Sequence, residues 1–306
     1  MSARRSRRTA AAIVLAAAAA AVTALTPTLA NAATSTVNGT KGNGLTISNG
    51  SPYVVMNGTT VDFHIDVRDL SWNPAGTKAA YIDSYGDLET ANANGTDRDI
   101  IAVHPAGTAF SHPTWQVTKA SEVQTDNPAL DNLIFVATTK GTSRLESVSA
   151  TVHFGKPTVP YLHQFNGQAP LPQTGNGWPS AGGPSYDGVF AYDNTGNGEV
   201  YIHDDYMRAQ GGAIAKGFEP AVSPDGDEIA FVRSVAGHDH LFVLDGSGPA
   251  KDITPFAKTD YTEPTWSPDG SYLAFHTSTG TYFVSRTGAT VPLRESTYGG
   301  VPAFRG

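Results

Sequence analysis

The most regular pattern in the chain is a short apolar run, a turn that contains Pro and Gly, and a second apolar run. Its clearest copies span residues 219–231 and 263–275, and a less regular copy spans residues 69–83. In each copy the run after the turn is rich in small, branched and aromatic residues, which is typical of a buried β-strand. The pattern therefore predicts a strand, a tight turn and a second strand in every copy.

These copies recur at one spacing. Gly226 and Gly270, in the two clearest turns, are 44 residues apart, and Trp72 and Trp115 are 43 residues apart. A period of about 40–45 residues is typical of a β-propeller, in which each repeat forms one blade. Two weaker copies fill the interval. One begins at residues 112–115 with its turn expanded over residues 117–131, and the other runs from residue 178 to residue 192.

Each end of the chain holds only part of a blade. Residues 298–306 match the first strand of the repeat, whereas residues 34–67 contain about three strand-like runs without the Pro-Gly turn. We expect both ends to share one sheet, because that pairing closes the ring and removes an open edge. The prediction is an all-β, six-bladed β-propeller over residues 33–306, with seven blades possible if residues 155–177 contain another.

Turn chemistry explains much of the composition. The chain holds 32 Gly and 20 Pro. Asp225 and Asp269 each precede the Gly of a repeat turn, and their recurrence indicates that they bond nearby backbone N–H groups rather than act in catalysis. Asn57-Gly58 predicts a two-residue hairpin turn, because both residues tolerate a positive φ.

Residues 1–32 differ from the rest of the chain. Four arginines precede an Ala/Val/Leu stretch and a small-residue end at Ala30-Asn31-Ala32, the order typical of a cleaved secretory signal peptide. We expect a secreted protein, and the Ala- and Arg-rich leader looks actinobacterial. Without the leader, 16 basic residues face 28 acidic ones, so the net charge is −12. This charge argues against nucleic acid as a partner, and we expect no membrane insertion after cleavage.

The sequence contains no cysteine. Disulfides, thiolate metal sites and a cysteine nucleophile are therefore excluded. A secreted domain without disulfides needs a sizeable core, which a chain of this length can bury.

The Ser-Pro-Asp-Gly turn at residues 223–226 and 267–270, followed by a strand with Ala-Phe, resembles the WD40-like repeat of TolB-type β-propellers. The resemblance implies the fold and says little about activity, because propellers host many functions. The resemblance implies that in TolB a separate α/β domain precedes the propeller, and we expect no such domain in this chain. Peptidase relatives carry a hydrolase domain, but no G-x-S-x-G motif occurs.

Several polar clusters could carry chemistry. His238 and His240 are two apart on a predicted strand, and His203 with Asp205 follows another, so each pair could contact a metal. Hairpin and turn positions explain both pairs better, and we expect no metal or other cofactor. Glu219 and Glu263 are candidates for paired carboxylates across the channel of a glycosidase. Their equivalence in the repeat favours a structural position near the channel mouth.

Two irregular insertions, at residues 117–131 and 164–177, interrupt the repeat. Insertions on a repeat scaffold often build its binding face. The predicted recognition surface therefore consists of the polar and aromatic residues in and beside these insertions, which are Glu122, Gln124, Asp126, Gln164, Phe165, Gln168, Gln173 and Trp178.

We interpret the chain as a secreted, monomeric, stand-alone propeller that binds a protein or peptide partner and is not an enzyme. A more specific hypothesis is that it modulates an extracellular protease, because its layout is similar to that of the dispase autolysis-inducing type of secreted protein in Streptomyces. Two alternatives remain open. One is a carbohydrate-active enzyme with its site in the central channel, and the other is a structural cell-envelope protein of TolB type.

Overall fold

The computed structural model describes residues 36–118, 129–164, 167, 169–183, 188–204, 210–246 and 248–306. Thr36–Gly306 form one compact unit. The described residues form six antiparallel sheets and contain no helix. It follows that no helix among them is long and apolar enough to cross a membrane.

Each sheet is one blade of the propeller. The strands, in chain order, are β1 (Leu45–Ser48), β2 (Tyr53–Met56) and β3 (Thr59–Asp62) of the closing blade; β4 (Arg68–Trp72), β5 (Lys78–Ile82), β6 (Leu88–Asn92) and β7 (Asp99–Ala102) of the first; β8 (Thr108–Val117), β9 (Asp131–Thr139) and β10 (Thr142–Ser149) of the second; and β11 (Asn176–Ala181), β12 (Val189–Asn194), β13 (Glu199–Asp204) and β14 (Gln210–Lys216) of the third.

The remaining strands complete the ring. They are β15 (Phe218–Val222), β16 (Glu228–Val235), β17 (His238–Asp245) and β18 (Lys251–Asp252) of the fourth blade; β19 (Thr262–Trp266), β20 (Tyr272–Thr277), β21 (Gly280–Ser285) and β22 (Leu293–Ser296) of the fifth; and β23 (Val301–Phe304), which joins β1–β3. The all-β, six-bladed prediction is confirmed. The described part of residues 155–175 contains no strand, so the second blade has three strands and no seventh blade forms there.

Both ends of the chain meet in the closing blade, as the sequence predicted. Its strand order is β23-β1-β2-β3, and β23 runs antiparallel to β1 with Leu45 opposite Phe304 and Ser48 opposite Val301. The innermost strand of each blade contacts that of the next, and β23 contacts β4 of the first blade. The ring is therefore closed by backbone hydrogen bonds between residues more than 250 positions apart in sequence.

Tryptophans link neighbouring blades. The indole N–H of Trp115 donates to Ser71 O of the first blade (3.4 Å), and that of Trp266 donates to Ala221 O of the fourth blade (2.9 Å). Trp72 donates to Thr46 Oγ1 of the closing blade (2.9 Å). These three tryptophans, which share one position of the repeat, therefore pack between blades.

Apolar clusters fill all six interfaces between neighbouring blades. Between the first and second blades, for example, Phe110 and Phe135 lie edge to face with ring centroids 4.7 Å apart. Full burial of one such side chain contributes about 1.5–3 kcal/mol. The core is thus divided among the interfaces, and each blade depends on both of its neighbours.

The repeat turns behave as their chemistry predicts. Asp225 Oδ1 accepts hydrogen bonds from Ser223 Oγ (2.6 Å) and from the backbone N–H of Asp227 (3.2 Å), and Asp269 does the same with Ser267 and Ser271. These bonds hold the pKa of both carboxyls below the usual value. Asn57 and Gly58 form the β2–β3 turn with φ of 49° and 76°.

Thr46 connects three segments at the closure and provides a test of it. Its hydroxyl accepts the Trp72 indole N–H and donates to Ala303 O of β23 (2.9 Å). We predict that Thr46→Val, which keeps the shape but removes both bonds, lowers the free energy of unfolding by about 1–3 kcal/mol. Denaturant unfolding measures the change. Thr60→Val, at an exposed position of β3 in the same sheet, is the matched control. Equal stability of the two variants would contradict the prediction.

Candidate functional site

The innermost strands of five blades carry a β-bulge at the same place. Their pairing with the second strand shifts register between Arg68 and Ser71 in the first blade and between Thr262 and Thr265 in the fifth. The second, third and fourth blades show the same shift. A bulge turns a side chain away from the regular alternation of a strand, and bulges are frequent beside functional sites. In the closing blade, β23 pairs with β1 without a shift.

One residue of each bulge has the left-handed backbone conformation. These residues are Asp69, His112, Trp178, Glu219 and Glu263, with φ between 41° and 56°, and together they are called the channel ring. Four of them precede a proline, which already restricts their backbone. A non-glycine residue in this conformation costs about 1–3 kcal/mol. The fold therefore holds five residues at the channel in a backbone conformation that they would rarely adopt alone.

Acidic side chains fasten the channel ring to its neighbours. Asp69 Oδ2 accepts the backbone N–H of His112 (3.1 Å), and Glu219 Oε2 accepts that of Glu263 (2.6 Å). Asp193 on β12 accepts the N–H of Glu219 through Oδ2 (2.9 Å). Each of these carboxyls thus satisfies a backbone donor in the adjacent blade.

The carboxyls of the site are difficult to ionise. Burial raises the pKa of Glu219 to about 7, and nearby acids including Glu263 and Asp193 add to the rise, whereas the N–H of Glu263 opposes it. Burial, with a smaller effect of Asp69, also raises the pKa of Glu263 to about 7. The pKa of Asp193 is raised by burial as well. The channel ring consequently changes its charge near neutral pH.

Imidazoles and one indole complete the site. The rings of His112 and Trp178 lie 4.0 Å apart between centroids, tilted by 40°. Burial lowers the pKa of His112 and of His276, whose Nδ1 is 3.9 Å from Glu263 Oε2. Both imidazoles are therefore mainly neutral at neutral pH and add little positive charge.

Two cavities meet at the channel ring. The turn-face cavity, of about 370 Å³, lies where the innermost strands end beside the repeat turns, and all six of these strands line it. The opposite-face cavity, of about 620 Å³, lies where the innermost strands of blades two to four begin, and Asp193, Glu219 and Arg233 are in its wall. Trp178 and His112 border both cavities. Both volumes lie within the range of about 300–1,000 Å³ that is typical of ligand pockets.

Two carboxylate oxygens at the site are buried without a hydrogen-bond partner among the described residues. They are Asp193 Oδ1 and Glu263 Oε2. Asp193 as a whole is only 6% exposed. An unsatisfied buried acceptor costs about 1–3 kcal/mol, which makes it unusual in a native structure.

The structure brings one predicted recognition residue, Trp178, into the channel ring. Gln164 and Gln173 lie on the segment between blades two and three, where Gln164 bridges to Gly211 and Gln173 donates to the Leu171 carbonyl (3.0 Å). The other predicted recognition residues lie outside the described residues; these are Glu122, Gln124, Asp126, Phe165 and Gln168.

The histidines that could contact a metal lie apart from the channel ring. His240 Nδ1 bonds Asp252 Oδ2 (2.9 Å), whereas His238 pairs with Asp260 (3.5 Å), so the two imidazoles use different carboxylates. His203 is fully buried 5.3 Å from the ring of Phe190. Asp205 lies outside the described residues. No group of three or more metal-ligating side chains forms among the residues that the structure describes.

Sequence reasoning missed three residues of the site, which are Asp69, His112 and Asp193. The first two occupy the repeat position of Glu219 and Glu263, immediately before the strand residues that pack between blades. Comparing that column across all copies would have found them. Asp193 belongs to a second strand and has no repeat signal.

No protein-family model matches the sequence, and no curated protein does so either. Solved structures with the same fold include TolB from Acinetobacter baumannii, with a TM-score of 0.57 and 17% identity over 85% of this chain. The match covers 65% of that protein, slightly less than two thirds. Putative TolB from Agrobacterium tumefaciens gives a TM-score of 0.58 and 16% identity over 84% of this chain and 90% of the other.

An enzyme is also among the matching structures. An oligogalacturonate lyase in complex with manganese gives a TM-score of 0.51 and 13% identity, over 80% of this chain and 70% of the lyase. At such identities the likeness concerns the fold alone. The chain therefore has the TolB-like fold, a six-bladed β-propeller built from WD40-like repeats.

Proposed function

We propose that this propeller is a secreted binding protein that recognises a protein or peptide partner at its channel and performs no catalysis. The observation that carries the proposal is the place of Trp178. At a position where other blades present a carboxylate or an imidazole, the third blade presents an indole that is partly exposed and borders both cavities.

Trp178 does not occupy the repeat position of the packing tryptophans. Trp72, Trp115 and Trp266 pack between blades from a different position of the repeat, each with its indole N–H bonded to a neighbouring blade. Tryptophan is among the residues that are enriched at the energetic hot spots of protein interfaces. Trp178 also follows the irregular segment between blades two and three, where insertions would extend a recognition surface.

The carboxyls at the channel support a binding role. Asp69, Asp193 and Glu219 each accept a backbone N–H of the next blade, so part of their capacity is used to hold the ring.

A second candidate function is favoured by one observation. Glu219 and Glu263 both have a pKa near 7 in one channel, and perturbed carboxyl pairs are frequent in acid–base catalysis. A neutral glycan fits this alternative better than a polyuronate, because acidic side chains repel an anionic sugar. Reducing ends released from neutral glycans, and lost in both Glu219→Gln and Glu263→Gln, would overturn the non-catalytic proposal.

The more specific proposal is that the partner is a secreted protease whose activity or autolysis the propeller changes. Incubating the protein with proteases from the same culture medium, and following peptide hydrolysis and fragmentation, tests this version. A cell-envelope partner would instead support a TolB-like structural role. Recovery of the chain from the medium of a secreting host, beginning at Ala33, tests the proposed export.

We predict that Trp178→Ala abolishes capture of the partner. The immobilised wild-type protein, Trp178→Ala and Phe256→Ala are incubated with culture medium, and bound proteins are identified by mass spectrometry. Phe256 is 85% exposed on another blade and is the matched aromatic control. A protein retained by the wild type and by Phe256→Ala, and reduced about tenfold or more on Trp178→Ala, is the expected result. Equal capture by all three would contradict the proposed site.

The ionisation of the channel ring predicts a dependence of stability on pH. Glu263 has a folded-state pKa near 7 against an ordinary value of 4.5, so the folded state binds more protons between these values. Its contribution to the free energy of unfolding is full below pH 4.5 and decreases as the pH rises through 7. We therefore expect Glu263→Gln to show a shallower loss of stability across this window.

Denaturant unfolding from about pH 5 to pH 8 measures this slope. Glu199→Gln is the control, because a hydrogen bond from Lys216 lowers the pKa of that carboxyl. The effect of this carboxyl on stability is confined to pH values below about 4.5. Above that pH, the stability of Glu199→Gln should therefore change with pH as in the wild type. A wild-type slope in Glu263→Gln would contradict the assignment.

A further inference from the structure

The opposite-face cavity contains two acidic groups that form no ion pair with Lys or Arg among the described residues. Asp193 and Glu219 share its wall, and the electrostatic neighbours of Glu219 are all acids. Arg233 is in the same wall, but it lies over the rings of Phe231 and Phe242 while its Nε donates to Lys216 O (2.8 Å). The hydrogen bond and ring contacts of Arg233 thus involve groups other than the two carboxyls.

Asp193 is the strongest indication that a ligand completes the site. The residue is only 6% exposed, its Oδ2 accepts the Glu219 N–H, and its Oδ1 has no hydrogen-bond partner among the described residues. Glu219 likewise uses Oε2 for the Glu263 N–H, which leaves Oε1 for a ligand. Buried carboxylates are normally paired or neutralised, so this arrangement favours a positively charged group in the cavity.

Gly177 preserves the space around this oxygen. A Cβ at that position would lie 2.7 Å from Asp193 Oδ1, which no side chain tolerates without a shift. The backbone of Gly177 does not have a positive φ, so its conformation does not require glycine. Glycine at this position therefore lets the Asp193 carboxylate keep its place and leaves room beside it.

The aromatic wall narrows the chemistry of the ligand. Trp178 and His112 line the same cavity, and their rings are in contact. A planar guanidinium stacks on an aromatic face and donates two parallel hydrogen bonds to a carboxylate, whereas an ammonium offers only a point charge. No metal-ligating group of three or more side chains occurs among the described residues, so the inference concerns an organic cation.

We propose that the opposite-face cavity binds a guanidinium group, supplied by an arginine side chain of the partner, between Trp178 and the carboxylates of Glu219 and Asp193. This inference rests on the proposed binding function and names the chemistry of its partner. The net charge of −12 after removal of the leader, given by 16 basic and 28 acidic residues, would draw a basic partner toward this site.

The test uses the peptide acetyl-Gly-Arg-Gly-amide and its neutral isostere with citrulline in place of arginine. Binding is measured by calorimetry at about pH 8, above the pKa of about 7 of Glu219, and at low ionic strength, where exposed charges are least screened. We expect the arginine peptide to bind the wild-type protein about tenfold or more tightly than the citrulline peptide. Equal affinities would overturn the inference.

Single substitutions test whether the arginine peptide binds at these carboxylates. Asp193→Asn keeps an acceptor for the Glu219 N–H but removes the charge, and we expect about a tenfold loss of arginine-peptide affinity. Asp97→Asn removes one exposed charge that pairs with Lys78 in the first blade, at a left-handed position that asparagine tolerates. It should bind like the wild type. Unchanged binding by Asp193→Asn would overturn the inference. If that variant does not fold, Glu219→Gln provides the same test.

Two further arms separate the sources of the cation. Agmatine, a free guanidinium compound, should bind more weakly than the peptide if a protein side chain is the natural ligand, and tighter binding of agmatine would contradict that source. In the capture experiment, excess arginine peptide should release the partner while the citrulline peptide should not. A partner captured by the wild type but unaffected by either peptide would preserve the binding function and contradict the guanidinium site.

Discussion

The structure depends on the pairing of its two ends. β23 supplies the innermost strand of the closing blade and β1 the second, and the side chain of Thr46 joins this sheet to Trp72 of the first blade. Because the apolar clusters lie between blades, every blade needs a neighbour on both sides to cover its apolar faces. The pairing of the two ends forms the closing blade, which is the second neighbour of both the first and the fifth blades, without a disulfide. It also fixes the distance of each innermost strand from the axis, and with it the width of the channel.

The closing blade differs from the other five in the feature that builds the site. Its innermost strand pairs regularly from Leu45–Phe304 to Ser48–Val301, whereas the other five have a bulge at this level. A regular ladder suits the strand pair that must join the ends of the chain. The bulged blades instead hold Asp69, His112 and Trp178, with two glutamates, in left-handed conformations. Such strain persists only where the surrounding structure determines the backbone, and a closed ring provides that constraint.

Much of the fold was predictable from the sequence, because its cues are local and repeated. The Ser-Pro-Asp-Gly turns, the Asn57-Gly58 hairpin and the incomplete repeat at each end give the blade count and the closure. The site was harder to predict from the sequence than the fold. The place of Trp178 beside an insertion draws attention to it, but five of the eight predicted recognition residues lie outside the described part. Asp193 reaches the channel only through the pairing of β12 with Gly177 of β11, a tertiary contact that no sequence pattern announces.

The central claim is that ring closure and the five bulges create an acidic, aromatic recognition site at the channel. The most direct measurement is a crystal structure of the protein with the arginine peptide bound. The account predicts the guanidinium in the opposite-face cavity, hydrogen-bonded to Glu219 Oε1 and in contact with the Trp178 ring. A peptide bound on the outer edge of a blade, with an undisturbed channel ring, would contradict it.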